Sequence, residues 1–317
     1  MQNRTAVFIV GPTGVGKTAG SIEIAKLLGT EIISADSMQI YKYMDIGTAK
    51  VTPDEADGVI HHMTDIVSPL ENYSVCDYVK AARSAAEDIQ DRGLVPLIVG
   101  GTGLYVDALT GRLSFDDDAS SDLQYRSELN ALCEERGAEF VHNVLKNVDK
   151  ASADAIHPNN IKRVIRALEY YHVTGQTISA HNEETKNREP LYLTSKIGFT
   201  RSRENLYARI DRRVDIMLEQ GLLDETQRLL DMGCTDSNTS MQALGYREAA
   251  QYLKGGMSYD EMAELIKRNS RRYAKRQLTW FKRDEEIHWL NLDETDGEKL
   301  AQICIDIINK DLKRSTR

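Results

Sequence analysis

The sequence predicts an α/β fold with a doubly wound parallel sheet flanked by helices, which three observations support. An apolar, β-branched run at residues 6–10 is followed by a glycine-rich loop and by a helix-forming segment at residues 19–28. Further apolar runs alternate with helical segments, as in parallel sheets whose strands are joined by helices. Residues 112–190 contain no convincing strand, so we expect an all-helical insertion there.

The loop after the first strand matches the phosphate-binding pattern G-x-x-x-x-G-K-[ST], in the strand–loop–helix context that this P-loop requires. Its glycines let backbone N–H groups turn toward phosphate oxygens, and the following helix N-terminus adds positive potential. We expect a di- or triphosphate here, with the Lys17 ammonium on the terminal phosphate and the Thr18 hydroxyl on Mg²⁺. The expected phosphate-binding residues are Gly11, Pro12, Thr13, Gly14, Val15, Gly16, Lys17 and Thr18.

The other core elements follow from apolar runs and helical periodicity. Strands are predicted at residues 31–34, 95–99, 191–199 and 287–290. Helices are predicted where apolar residues recur every three to four positions, at residues 74–90, 203–219 and 222–232, and from residues 104 and 298 onward. The predicted P-loop core therefore comprises residues 1–112 and 191–317.

The insertion is predicted to span residues 113–190 and to contain helices at 123–136, 138–145 and 161–171. Lys162, Arg163 and Arg166 lie on one face of the last of these helices, and Arg126 lies on the first. These residues make the insertion a candidate for binding an anionic partner.

Composition is ordinary for a soluble globular protein of 317 residues, with 41% hydrophobic and 28% charged residues. The net charge of −9 argues against non-specific nucleic-acid binding as the main activity, but it leaves room for a local basic face. No 18-residue apolar run occurs and the first strand begins by Thr5, so we expect neither a transmembrane helix nor a signal peptide. The four cysteines form no C-x-x-C pair, and His61 and His62 lack partners at metal-binding spacing. We therefore expect a cytoplasmic protein that does not bind a membrane.

Two further strand ends are expected to meet the P-loop, because ligands on such sheets bind beyond the carboxyl ends of the strands. Asp36 follows the second strand directly, so we expect its carboxylate to act as a general base or to sit beside Mg²⁺, although an Asp-Ser pair also commonly caps a turn. The third strand ends in glycines at 100–103, without the Walker B aspartate that normally holds Mg²⁺. This omission indicates that the bound phosphates act as a leaving group.

Pairs of basic residues repeat every four positions along one predicted helix near the C-terminus, at Lys267/Arg268, Arg271/Arg272 and Lys275/Arg276. Acidic residues normally alternate within a solvated helical face, and residues 267–283 contain none. In a chain of net charge −9, this basic stripe favours contact with a nucleic-acid backbone. We expect Arg271 and Lys275 to make such contacts.

Specific motifs occur together and in order along nearly the whole chain. Besides the P-loop they include the segments 36–41, 44–50, 100–105, 157–160, 166–169, 245–247 and 275–281, and also Arg163. In this combination the chain resembles the tRNA dimethylallyltransferases (tRNA isopentenyltransferases). No position expected to be catalytic departs from the family pattern, whereas the insertion and the last helix match more loosely.

The resemblance implies transfer of a dimethylallyl group from dimethylallyl diphosphate to N6 of the adenosine next to the anticodon on its 3′ side. Asp36 would take the N6 proton, and the P-loop, Lys17 and Mg²⁺ on Thr18 would stabilise the departing diphosphate. The resemblance also places Arg213 on the diphosphate, with its neighbour Arg212 as the open alternative.

The implied partner is the anticodon stem-loop of tRNA, in which extrusion of a base costs little, and we expect a monomer. The tRNA contacts that the resemblance implies are Asp36, Ser37, Met38, Gln39, Thr102, Arg126, Lys162, Arg163, Val164, Ile165, Arg166, Gln242, Ala243, Leu244, Gly245, Tyr246 and Arg247.

Three other functions are compatible with parts of the sequence. A P-loop small-molecule kinase would use ATP and let Asp36 activate a hydroxyl, but the missing Walker B aspartate and the basic helices argue against it. An adenylate isopentenyltransferase would perform the same chemistry on a free nucleotide, and such relatives lack the full insertion and the basic C-terminal region. A nucleotide-gated RNA-binding protein would not need a carboxylate at Asp36.

Overall fold

The computed structural model describes residues 4–111, 122–186 and 191–314. The chain divides into two compact units, Met1–Thr110 with Leu191–Arg317, and Gly111–Pro190. The predicted boundary after residue 112 lies outside the described residues.

A six-stranded parallel sheet forms the centre of the first unit, as far as the described residues show. Its strands are β1 (Thr5–Val10), β2 (Ile32–Ser34), β3 (His61–His62), β4 (Leu97–Gly100), β5 (Leu193–Thr200) and β6 (Ile287–Asn291). They run in the order β3-β2-β4-β1-β5-β6, and every neighbouring pair is parallel. The predicted α/β class with a parallel sheet is therefore confirmed. Of the six strands, the two-residue β3 is the one that was not predicted.

The helices connect and cover these strands. In chain order they are α1 (Lys17–Leu28), α2 (Pro53–Ala56), α3 (Val75–Asp91), α4 (Gly103–Leu109), α5 (Leu123–Arg136), α6 (Ala138–Val148), α7 (Lys150–Ala155), α8 (Ile161–Thr174), α9 (Ile178–Lys186), α10 (Arg203–Glu219), α11 (Leu222–Asp231), α12 (Tyr246–Leu253), α13 (Tyr259–Phe281) and α14 (Gly297–Arg314). No helix in the described parts of the chain is long and apolar enough to cross a membrane.

Burial of the central strand on both faces explains its continuous apolar sequence. Phe8 and Ile9 of β1 are fully buried, as is Ile197 of the adjacent β5.

Hydrogen bonds of capping residues determine where several helices begin. For example, Ser258 accepts a hydrogen bond from the Glu261 amide, and the Glu261 carboxylate accepts one from the Ser258 amide, which fixes the start of α13. Because β1, β2 and β4 are parallel, their carboxyl ends lie at one edge of the sheet.

Within residues 122–186 the second unit consists of the helices α5–α9 and their short connections, without a strand. Its core contains fully buried Val141, Leu145 and Val164, contributed by α6 and α8. A carboxylate is buried with them, because Glu169 of α8 has no exposed surface.

Candidate active site

The P-loop wraps the N-terminus of α1 and its shape depends on glycine. Gly14 has a φ of 77°, and a side chain there would lie 2.9 Å from Cγ1 of Ile210. A side chain at Gly11 would meet the Phe199 carbonyl oxygen at 2.6 Å. Two arginines hold the loop from outside, since Nε of Arg209 donates to Gly14 O and Nε of Arg201 donates to Val15 O, both at 3.0 Å.

The ammonium of Lys17 lies inside this loop, where it donates to the carbonyl oxygens of Gly11 and Pro12 at 2.9 Å each. Burial, together with the charge of Arg213, lowers the pKa of Lys17 to about 8, and the charge of Asp36 opposes this shift. Thr18 follows at the exposed start of α1. The loop therefore offers a cation and a hydroxyl at a helix N-terminus.

The lowered pKa of Lys17 predicts that a diphosphate ligand binds the P-loop in a pH-dependent way. The free protein loses the Lys17 proton as the pH rises through about 8, whereas a bound anion favours the charged ammonium. Binding should therefore take up protons above that pH, and affinity should fall by up to about tenfold per pH unit. Calorimetry in two buffers of different ionisation enthalpy measures this uptake directly.

Lys17→Arg is the matched control, because arginine stays charged across this range and should abolish the pH dependence. A wild-type affinity that is constant between about pH 7.5 and 9.5 would contradict the assignment of Lys17 to the diphosphate.

Asp36 lies just beyond β2, and its side chain forms the turn that an Asp-Ser pair commonly makes. One carboxylate oxygen, Oδ1, accepts from the Met38 amide at 2.9 Å, which closes an Asx turn. The same carboxylate lies close enough to Lys17 and Arg213 to act on the pKa of both. The turn thus orients Asp36 toward the two cations.

Thr102, at the N-terminus of α4, connects this turn to the end of β4. Its Oγ1 accepts from the Ser37 amide at 3.1 Å, and its own amide donates to Ala35 O at 3.1 Å. A side chain at Gly100 would meet Ala35 O at 2.2 Å, so β4 must end in glycine for the segments to approach this closely. Gln39 is held nearby by the hydroxyl of Ser34, which donates to Oε1 at 2.9 Å.

A cleft of 490 Å³ opens above these strand ends. It collects many of the predicted site residues, namely Thr13, Asp36, Ser37, Met38, Arg213, Gln242, Ala243, Leu244, Gly245 and Arg247. Its apolar wall is formed by Ile210, Val214, Met217 and Ile266. The cleft therefore combines a carboxylate, cations and an apolar surface.

The structure distinguishes the two adjacent arginines of α10. Arg213 lines the cleft, and burial lowers its pKa while the charge of Asp36 opposes the shift. Arg212 is exposed to solvent on another face of the helix. Of the two, Arg213 is the one in position to contact a bound anion.

Tyr246 lies beneath the cleft, and its fully buried side chain corrects the prediction that it contacts tRNA. The Tyr246 hydroxyl donates to Glu225 Oε1 at 2.5 Å and accepts from the Gly47 amide at 3.1 Å. The buried Glu225 carboxylate also accepts from the amides of Asp45, Ile46 and Gly47. Tyr246 thus supports the loop at 44–50, part of which lines the cleft.

The basic stripe of α13 divides between two environments. Lys267 pairs with Asp215 at 2.7 Å and Arg271 pairs with Asp211 at 2.5 Å, both acids being on α10. The interpretation of these two residues as an uncompensated cationic face was therefore wrong, because a neighbouring helix supplies the acids that the stripe itself lacks. Arg272 and Arg276 are exposed and line the cleft. Lys275 is also exposed.

Charges on the insertion unit are partly compensated as well. Arg126 and Arg166 both pair with the buried Glu169, at 2.6 and 2.8 Å, and their hydrogen bonds lower its pKa although burial alone would raise it. Lys162 and Arg163 are exposed. The predicted contacts Val164 and Ile165 have buried side chains, which pack in the core of this unit.

Sequence reasoning missed the role of Gln277 on α13. Its side chain is 5% exposed, and it hydrogen-bonds the backbone of both the P-loop and the loop after β4. One signal could have indicated this role: Gln277 is a polar amide on a helix face whose other residues, such as Ala274 and Phe281, are apolar and buried. Glu225 was missed because no local motif marks it. Arg272 and Arg276 were named in the basic stripe, but Arg271 and Lys275 were selected from it as the contacts.

Comparison with known proteins identifies the family. The family model described as IPP transferase matches residues 39–284, and the Isopentenyl transferase model matches residues 4–63. A tRNA dimethylallyltransferase of Bacillus cereus (strain AH187) is 49% identical over 315 residues, covering 99% of this chain and 98% of the relative. The enzyme of that name from Acetivibrio thermocellus is 48% identical over 293 residues, covering 92% and 93% respectively.

Two solved structures resemble the whole chain. The tRNA isopentenylpyrophosphate transferase of Bacillus halodurans superposes with a TM-score of 0.73 at 43% identity, covering 99% of this chain and 100% of that one. A eukaryotic dimethylallyltransferase acting on tRNA gives a TM-score of 0.81 at 29% identity, covering 97% and 80%. With this agreement in sequence, fold and strand-end cleft, the chain belongs to the tRNA dimethylallyltransferase family.

Proposed function

We propose that this protein transfers the dimethylallyl group of dimethylallyl diphosphate to N6 of the adenosine that follows the anticodon in tRNA. The observation that carries this proposal is the grouping of Asp36, Lys17 and Arg213 at the strand ends, where one carboxylate lies near two cations. Such a grouping suits a reaction in which an anion departs on one side while a proton is removed on the other.

The proposed reaction breaks the bond between C1 of the dimethylallyl group and the diphosphate oxygen, whose electron pair leaves with diphosphate. The N6 lone pair forms the new bond to C1, and the N6 proton passes to the Asp36 carboxylate. Lys17, Arg213 and the P-loop amides would bind the negative charge that develops on the leaving group. The apolar wall of the cleft, including Val214 and Met217, provides a surface for the hydrocarbon part of the substrate.

We also propose Mg²⁺ as the metal, held by the Thr18 hydroxyl together with diphosphate oxygens and water. Within the described residues no group of three or more His, Cys, Asp or Glu side chains could hold a metal by itself. A single hydroxyl fits Mg²⁺, which usually keeps several waters and is bound through substrate phosphates. When bound, Mg²⁺ would add positive charge beside the departing diphosphate.

For tRNA, we propose that exposed cations at the cleft contact the phosphate backbone, chiefly Arg272 and Arg276. Arg247 also lines the cleft and is exposed, but it pairs with Glu248 at 2.8 Å. Exposed Lys275 on α13, and Lys162 and Arg163 on α8, would add contacts. Arg271 is better explained as a structural residue because it is paired with Asp211. We further propose that the protein acts as a monomer, since one chain supplies the lining of the cleft. The cytoplasm is the location that we propose from the sequence.

The two environments on α13 predict unequal effects on tRNA binding. Replacing Arg272 and Arg276 together by Gln should lower the slope of log affinity against log salt by about 0.7–0.9 per lost phosphate contact. Replacing Lys267 and Arg271 together by Gln removes the same charge but should leave this slope nearly unchanged, because their charges are already paired on α10. Filter-binding titrations at several salt concentrations compare the two variants. Equal slopes in the two variants would reject this division of the stripe.

The proposed function is tested by incubating the protein with tRNA, dimethylallyl diphosphate and Mg²⁺ and analysing the tRNA nucleosides by mass spectrometry. We expect one adenosine, 3′ to the anticodon, to gain a dimethylallyl group on N6. Free adenosine monophosphate in place of tRNA distinguishes the nucleotide-modifying alternative, and ADP formation from ATP with candidate acceptors distinguishes the kinase. The proposal would be overturned if the tRNA remained unmodified while either dimethylallylated adenosine monophosphate or ADP was formed.

A further inference from the structure

The amide of Gln277 joins the two loops that flank the cleft. Its Oε1 accepts from the Thr13 amide of the P-loop at 2.9 Å, and its Nε2 donates to Gly101 O after β4 at 2.9 Å. Only a group with an acceptor at one end and a donor at the other satisfies both loops, and a glutamine amide is such a group.

A chain of contacts continues from Gln277 to the proposed base. Gly101 precedes Thr102, whose Oγ1 accepts from the Ser37 amide at 3.1 Å, and Ser37 follows Asp36. Tyr273, one turn before Gln277 on α13, lies beside Thr102 and Gln277 and lines the cleft. The loop that would hold the diphosphate and the turn that orients Asp36 are thus connected through the side chains of Gln277 and Thr102.

The packing around this amide leaves little room for it to move. Gln277 is nearly fully buried, and a Cβ added at Gly101 would lie 2.2 Å from Nε2. The glycine therefore permits the approach that the hydrogen bond needs. An amide fixed in this way determines the spacing between the P-loop backbone and the backbone after β4.

We propose that Gln277 is a positioning residue for prenyl transfer, which sets the distance between the diphosphate bound by the P-loop and the amine deprotonated by Asp36. This inference rests on the proposed function. Gln277 touches neither reacting group in our scheme, and its effect on the rate arises from the alignment of C1 with N6. Misalignment of about 1 Å is sufficient to cost about 10²-fold in rate.

Gln277→Glu tests the inference with a side chain of the same shape. An ionised carboxylate still accepts from Thr13, but it repels Gly101 O, to which the amide donates. We expect kcat to fall by about 10²-fold while KM for tRNA and for dimethylallyl diphosphate stays within about threefold. Because a protonated glutamic acid regains a donor for Gly101 O, kcat of the variant relative to wild type should recover as the pH is lowered.

Gln90→Glu is the matched control. Nε2 of Gln90 donates to Thr5 O at 2.8 Å, so this variant creates a similar carboxylate–carbonyl conflict between α3 and β1, in a pair that does not line the cleft. It should lower thermal stability without lowering kcat. If Gln277→Glu does not fold, Gly101→Ala displaces the amide while Gln277 is retained, and the same loss of kcat is expected.

The outcomes separate the inference from the function on which it rests. An active wild-type protein with a Gln277→Glu variant that loses no more kcat than Gln90→Glu would overturn the positioning role alone. A variant that changes only KM would do the same, because it would indicate a role in binding. A wild-type protein that transfers no dimethylallyl group to tRNA would overturn the proposed function and this inference together.

Discussion

Asp36→Asn is expected to reduce prenyl transfer by about 10²–10⁴-fold, because it removes the proposed general base. The asparagine carbonyl still accepts from the Met38 amide, so the turn beyond β2 should persist. The affinity for tRNA and for dimethylallyl diphosphate should consequently change little. Single-turnover rates at saturating concentrations of both substrates measure the chemical defect separately from binding.

Ser37→Ala provides a control in the same turn, because alanine retains the amide that donates to Thr102 Oγ1 and loses only the 3.4 Å hydrogen bond from that hydroxyl to Ser37 Oγ. We expect this variant to lose far less activity than Asp36→Asn. Turnover at the wild-type rate in Asp36→Asn would remove the carboxylate from the mechanism and would leave the Asx turn as its whole role.

Arg213→Gln should lower the rate of prenyl transfer by about 10²–10³-fold, as expected when a group that stabilises developing negative charge is lost. Arg213 lines the cleft near Asp36, and substrate phosphate oxygens bound there would be shielded from water. Removing this cation therefore leaves part of the leaving-group charge uncompensated. Rates of tRNA modification at saturating dimethylallyl diphosphate give the size of the effect.

Arg212→Gln is the matched control, because it removes the same charge from the adjacent position of α10. Arg212 is exposed and does not line the cleft, so its loss should have little effect on the chemical step. Similar losses in the two variants would mean that the net charge of α10 matters and that contact with the diphosphate does not. A larger loss in Arg212→Gln would reverse the assignment.

The sequence by itself was sufficient to predict the features that depend on neighbouring residues. The P-loop is recognisable because glycines at set spacings permit backbone angles that other residues rarely adopt, as at Gly14 and Gly16. A continuous apolar run predicted β1 because both faces of that strand are buried. Asp36 could be selected for a related reason, since a residue that directly follows a parallel strand must lie at the ligand-binding edge of the sheet.

Only the tertiary structure decided which charged and polar groups are neutralised. Lys267 and Arg271 appeared unpaired because their partners, Asp215 and Asp211, lie more than 50 positions earlier in the chain. Arg126 likewise meets Glu169 only after α5 and α8 pack together. Electrostatic pairing depends on distance in space, and periodicity along one helix contains no information about the acids on another.

The same reason applies to the groups that hold the cleft together. The hydroxyl of Tyr246 meets Glu225 from a different helix, and the amide of Gln277 meets loops more than 170 positions away. A buried polar group must find a partner, but the sequence does not state which one. The local pattern therefore predicts the chemical groups of this protein, and long-range packing determines which of them face the cleft and which support it from beneath.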